Sequence, residues 1–217
     1  MSTRGAYGFV QDGKYKVTYN QSDSYPSGLG QEVVNFVKSV VESEALDTLK
    51  ERVKAVKLVD ESKPATKAEI KRYEKFYQNV SSGAKTEWYC LLRDLQGVSL
   101  LEHILSGEVE HMIDSSEFVK DSLFCEWAYI IDLNRNTFDV YQGYQHDPQE
   151  GNVFGVEAGE GGYYPVKLIA SFPLTNIPDD WQKQVEQAGE KDDEVNKALD
   201  VLAEEDFTEE PKKKKKK

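Results

Sequence analysis

The sequence predicts an α+β protein in which a mostly antiparallel sheet carries a helical middle segment on one side, and three observations support this. Runs of aromatic and β-branched residues separated by turn signals fill residues 5–20 and 124–174. Between those runs, residues 31–106 switch to apolar residues that recur at helical spacing. Beyond residue 178 the chain becomes strongly charged, which separates a tail from the body.

The opening stretches "GAYGFV" and "KYKVTYN" read as two strands, and the Asp12-Gly13 pair between them is a hairpin signal because both positions of the matching turn need positive φ. Pro26, Gly28 and Gly30 then set turns in "SDSYPSGLG". Val33, Phe36, Val37, Val40 and Val41 make one helical stripe, and Leu46, Leu49, Val53 and Val56 make the next. Thr66 with Glu69 forms a capping box that opens a third helix through Ile70, Tyr73 and Tyr77. A fourth helix is expected over "EWYCLLRDL". A fifth is expected to start at a second box, Ser99 with Glu102, and to stop near Gly107. "FCEWAYIIDL", "TFDVYQGY" and "YYPVKLIASFPL" supply three more strands. Two short amphipathic helices follow, carrying Trp181 and Val185, then Val195, Leu199 and Leu202, with Gly189 between them.

This pattern sets the expected domains: residues 1–178 a single α+β domain, 179–205 peripheral acidic helices, and 206–217 a disordered acidic and poly-lysine tail. The whole chain of 217 residues is long enough to bury roughly 70% of its unfolded surface. Its net charge is -12, with -10 in residues 179–210 and six lysines at 212–217, so residues 1–178 carry -8 on their own. An acidic body is a poor surface for phosphates, so direct nucleic-acid binding by the folded body is not expected. No apolar run reaches membrane-span length, and no basic region followed by an apolar stretch opens the chain, which makes the cytoplasm the expected compartment. Cys90 and Cys125 sit in "WYCLL" and "LFCEW" and are expected to be reduced core thiols.

Chemistry-bearing groups concentrate at the N-terminus. Ser2, Thr3, Arg4, Asn20, Asp23 and Tyr25 converge if the hairpin brings its two ends together. With Met1 removed, Ser2 (or Thr3 after further trimming) becomes a terminal hydroxyl nucleophile whose own α-amino group, with a pKa near 8, serves as base. Arg4 is then a substrate contact, and Asn20 and Asp23 orient the amine or the oxyanion. Asn, Asp and Ser are equally the residues of turns and N-caps. Tyr163 and Tyr164 beside "AGEGGYYP" are further candidate binding residues, gating a cleft next to a Gly-rich loop. His103, His111 and His146 lack ligand spacing and read as solvated or capping residues. No metal or cofactor is expected: the Gly-rich loop has neither the dinucleotide fingerprint nor the Walker lysine.

The strand, turn, strand, polar loop and helix of the first forty residues resemble the opening of the N-terminal nucleophile hydrolases, and "YNQSD" resembles the Asn-x-x-Asp-like element of the choloylglycine-type amidases. Those amidases carry Cys at the first position, where this chain has none. A broader resemblance rests on "TRGAYGF", "DSYPSGLG", "EWYCLLRDLQG", "DSLFCEWAYIIDL" and "GYYPVKLIASFPL". Across most of residues 3–175 the chain is similar to a family of uncharacterised proteins of bacteria and their phages, in which a His often stands at the position of Gln21. That resemblance implies a phage-related or mobile-element setting and no established activity.

Two functions follow as expectations. The first is an acidic interaction or inhibitor protein that docks on a basic protein partner, of the anti-defence type in a phage setting, using scattered exposed aromatics such as Trp88, Trp127 and Trp181. The alternative is an amide hydrolase acting through Ser2 or Thr3. The sequence carries no signal for oligomeric state.

Overall fold

The computed structural model describes residues 3–79, 84 and 86–190. Strands β1 (Gly5–Gln11) and β2 (Lys14–Asn20) form the expected hairpin, and Asp12 and Gly13 adopt φ of 52° and 71° in the turn between them. Helices α1 (Gln31–Glu42) and α2 (Leu46–Ala55) follow, then the short strand β3 (Lys57–Val59) and helix α3 (Lys67–Tyr73). A single turn, α4 (Trp88–Leu91), precedes α5 (Val98–Ser106) and the short strand β4 (His111–Ile113). Strands β5 (Trp127–Asp132), β6 (Thr137–Gln142) and β7 (Lys167–Pro173) complete the main sheet, and residues 181–190 form α6.

The architecture is α+β. The five-stranded sheet has the order β2-β1-β5-β6-β7, and each pairing is antiparallel except β1 with β5. Strands β3 and β4 pair in parallel as a separate two-stranded unit. Both faces of the main sheet are covered, because side chains alternate along each strand. Tyr7, Phe9, Tyr129, Ile131, Phe138 and Val140 point into the larger core under the helices. Ala6, Val10, Ala128, Ile130 and Tyr141 point into a smaller core closed by Val119, Phe154 and Val166 from the loops.

The capping box at α3 is present as expected: Thr66 Oγ1 accepts from the Glu69 N–H, and the Glu69 carboxylate accepts from the Thr66 N–H at 2.7 Å. Other expectations are corrected. The fourth helix shrinks to the single turn Trp88–Leu91, after which the chain continues with Leu92 and Leu95 still buried. The Ser99–Glu102 box does not form: α5 begins at Val98 after Gly97, whose φ of 63° and ψ of -144° turn the chain, and Ser99 lies inside the first turn. Gly189 itself lies inside α6, beside Gln142.

The position of α6 also moves the edge of the core. Trp181 is 1% exposed and meets Phe138 edge-on at 5.6 Å, and Val185 is fully buried. Gly30 is needed for this packing, because a Cβ there would lie 2.8 Å from the Trp181 ring and 2.9 Å from Tyr129. Trp88 is buried too and Trp127 half-buried, so these three tryptophans are not the exposed docking groups that the sequence suggested. The helix expected around Val195, Leu199 and Leu202, and the poly-lysine end, lie outside the described residues.

Candidate functional site

The two ends of the hairpin do meet: Gly5 pairs with Asn20, and the Ser24 N–H donates to the Thr3 carbonyl at 3.1 Å. The polar groups nevertheless separate into two sets. Asn20 is buried, and its Nδ2 donates to the Ser22 carbonyl at 2.5 Å and to Ser24 Oγ at 2.8 Å, so both amide protons are engaged within the turn. Asp23 sits at φ 55° and accepts from the Tyr25 hydroxyl at 2.8 Å, while its carbonyl accepts from the Leu29 N–H. Gly28 is fixed by the same turn: a Cβ there would lie 2.1 Å from the Asp23 carbonyl oxygen. The "SDSYPSGLG" loop is thus a packed turn seated on the sheet, tied down further by the Tyr129 hydroxyl donating to the Ser24 carbonyl at 2.9 Å.

Arg4 points elsewhere. Its guanidinium lies over the Phe124 ring at 5.0 Å, and its backbone N–H donates to Glu126 Oε1 at 3.1 Å. Tyr144 belongs to the same surface. Burial, followed by a hydrogen bond to Glu126, holds its hydroxyl pKa above the ordinary value. Its ring meets Tyr163 at 6.5 Å, and Tyr163 also contacts His146. Arg4 and Tyr163 therefore share one patch, whereas Tyr164 spends its backbone on Gln145 and Ser122, and Tyr25 stays with Asp23. Thr3 flanks the start of β1, and Ser2 lies outside the described residues.

A broad concavity lies on the other side of β2. A cleft of about 850 Å³ opens between the C-terminal half of β2, the β3–β4 pair and residues 89–96. That volume falls in the range of natural ligand sites. Leu92, Leu95, Leu100 and Ile113 form its base, and Tyr19, Tyr89 and Phe118 its aromatic walls. Tyr19 and Phe118 hold each other edge-on at 4.9 Å. Asp60, Glu61, Asp114 and Glu117 stand exposed along it, and Arg93 is the one cation among its described lining residues. Arg93 lies over Tyr89 at 5.3 Å and donates to Gln21 Oε1 at 2.6 Å. Local turns aim the acids: Asp60 accepts from the Ser62 N–H and hydroxyl, which lowers its pKa, and Asp114 accepts from the Ser116 N–H. Glu117 pairs with Lys120 at 2.6 Å.

A buried polar cluster props the wall behind this cleft. His111 is 5% exposed, stacked on Trp88 at 4.6 Å and hydrogen-bonded through Nδ1 to the Tyr73 hydroxyl at 2.7 Å. Its Nε2 faces Glu69 Oε1 at 3.3 Å. A nitrogen facing a carboxylate carries its proton, so the neutral ring is the Nε2–H tautomer and Nδ1 accepts from Tyr73. This corrects the expectation of a solvated histidine. The short strand "HMI" gave no alternation by which burial of its first residue would have been read.

Among the described residues, no group of three or more His, Cys, Asp or Glu side chains is placed to hold a metal ion, and no helix is long and apolar enough to cross a membrane. No family model, curated protein or solved structure matches this chain.

Proposed function

We propose that the protein is an acidic interaction or inhibitor protein that receives a basic segment of a partner protein in the cleft between β2 and the β3–β4 pair. The observation that carries this reading is the charge arrangement: Asp60 and Glu61 after β3 and Asp114 after β4 stand together beside apolar lining residues, and Arg93 is the one cation among the described lining residues. Carboxylates around a concave, low-dielectric surface focus a negative potential that speeds capture of cationic groups and rejects acidic ones. In the bacterial and phage setting that the sequence resemblance implies, the partner class is a host nucleic-acid-binding or defence protein, whose exposed basic segments such a cleft would cover. This reading is preferred to an amide hydrolase acting through Ser2 or Thr3 because Asn20, the oxyanion group that reading needs, has both amide protons engaged in its own turn.

The test uses a fluorescein-labelled eight-residue peptide of alternating lysine and valine, followed by anisotropy. Exposed ion pairs contribute about 0.2–1 kcal/mol each. The combined Asp60→Asn, Glu61→Gln, Asp114→Asn variant should therefore bind about tenfold more weakly. Binding should also weaken steeply as salt rises. Neutralising Glu42, Glu157 and Glu160, exposed elsewhere, should leave affinity unchanged. Equal losses in both triple variants would assign the effect to bulk charge and remove the cleft from the argument.

A further inference from the structure

We infer that the partner segment enters this cleft as an extended strand added to the open edge of β2, with apolar and basic residues alternating along it. The inference rests on the docking reading above and specifies its mode. Strand β2 is the outermost strand of the main sheet, so one of its edges is not paired within that sheet. The Ser115 N–H donates to the Val17 carbonyl at 2.9 Å, which shows that the backbone groups of Val17 point away from β1. In an antiparallel pair that direction alternates by residue, so the N–H and carbonyl of Tyr19 point the same way as those of Val17.

Just past Ser115 the covering chain turns off. The Ser116 N–H goes to Asp114, the Phe118 N–H goes to the Ser115 carbonyl, and a short helical turn follows at Phe118–Lys120. Thr18, Tyr19 and Gln21 are left as a wall of the cleft. An incoming strand laid beside Tyr19 would continue the sheet at the ordinary spacing of about 4.8 Å.

Its side chains would then face two different surroundings. One set would meet the base formed by Leu92, Leu95 and Leu100, and the other would meet the rim bearing Asp60, Glu61 and Asp114. Strand addition divides recognition in this way, with main-chain bonds giving affinity and alternate side chains giving specificity. A period of two, apolar then basic, is the sequence that fits.

Alternate N-methylation of the labelled lysine–valine peptide tests the mode, because an added strand turns only every second N–H toward its host. One isomer carries methyl groups on the lysine nitrogens and the other on the valine nitrogens. We expect one isomer to lose at least tenfold in affinity while the other stays within threefold of the parent peptide. Two isomers that bind equally, whether both strong or both weak, would overturn strand addition while the carboxylate dependence of the parent kept the docking site. A parent peptide that does not bind at all would sink the docking reading itself. On the protein side, Tyr19→Pro removes the outward N–H and Tyr19→Ala removes only the ring. Binding by Tyr19→Pro should fall at least tenfold below Tyr19→Ala, and equal affinities of the two would count against the inference.

Discussion

His111 shows how much one buried side chain can decide. Burial lowers its pKa from 6.5, outweighing the opposite pull of Glu69, while Lys57 and Arg72 push the same way as burial and Glu110 pulls against it. A group whose folded pKa is depressed stabilises the fold above its unfolded pKa, and that contribution is lost as pH falls. The urea midpoint should therefore decline as pH drops from about 6.5 toward the carboxylate range. His111→Phe, which keeps the stacking on Trp88 but cannot take up a proton, should show a shallower decline over that interval. An unchanged slope would place the pH dependence on other groups. Residues of this kind were the least legible from sequence. Nothing in "EHMID" distinguishes an imidazole locked by Tyr73 and Glu69 from one in water, because its partners lie 38 and 42 positions away. Asn20 and Asp23 were legible as turn formers or as site groups, and only the geometry of Ser22, Ser24 and Tyr25 separates the two uses.

Elements with strong local signals were legible in proportion to those signals. The Asp12-Gly13 turn, the stripes of α1 and α2, the Thr66–Glu69 box, and the aromatic and β-branched runs of β5, β6 and β7 all emerge where the sequence places them. Strands β3 and β4 were missed because three residues are too few to show a period. Helix α6 was recognised but its role was not: an acidic segment with one tryptophan reads as peripheral, yet that tryptophan is seated between Gly30 and Phe138. Its indole N–H also donates to Gln31 Oε1 at 3.2 Å. Trp181→Ala should cost about 3–5 kcal/mol, the usual range for emptying a large aromatic site. Equilibrium urea unfolding measures this, and a loss below about 1 kcal/mol would mean that α6 docks only loosely.

At the scale of the whole molecule, the main sheet separates two cores, and one cysteine lies near each. Cys90 is fully buried in the segment beneath the cleft, and Cys125 is fully buried in the smaller core, where burial pushes its thiol pKa up. Both sulfurs are shut off from solvent, so neither residue should be modified by a disulfide reagent in the native protein, and both should be modified in urea. Rapid native labelling of Cys125 alone would show that the loop-covered core opens independently of the helix-covered one.

The parallel pairing of β1 with β5 has a consequence for how the chain is made. Arg4 and Glu126 are bonded across 122 intervening steps of sequence, so the first hairpin emerges from the ribosome long before the strand that will shelter its inner border exists. At translation speeds of about 5–20 residues per second, that border waits roughly 6–25 seconds. For that interval the nascent hairpin offers unpaired backbone on both flanks, one of which β5 later closes for good.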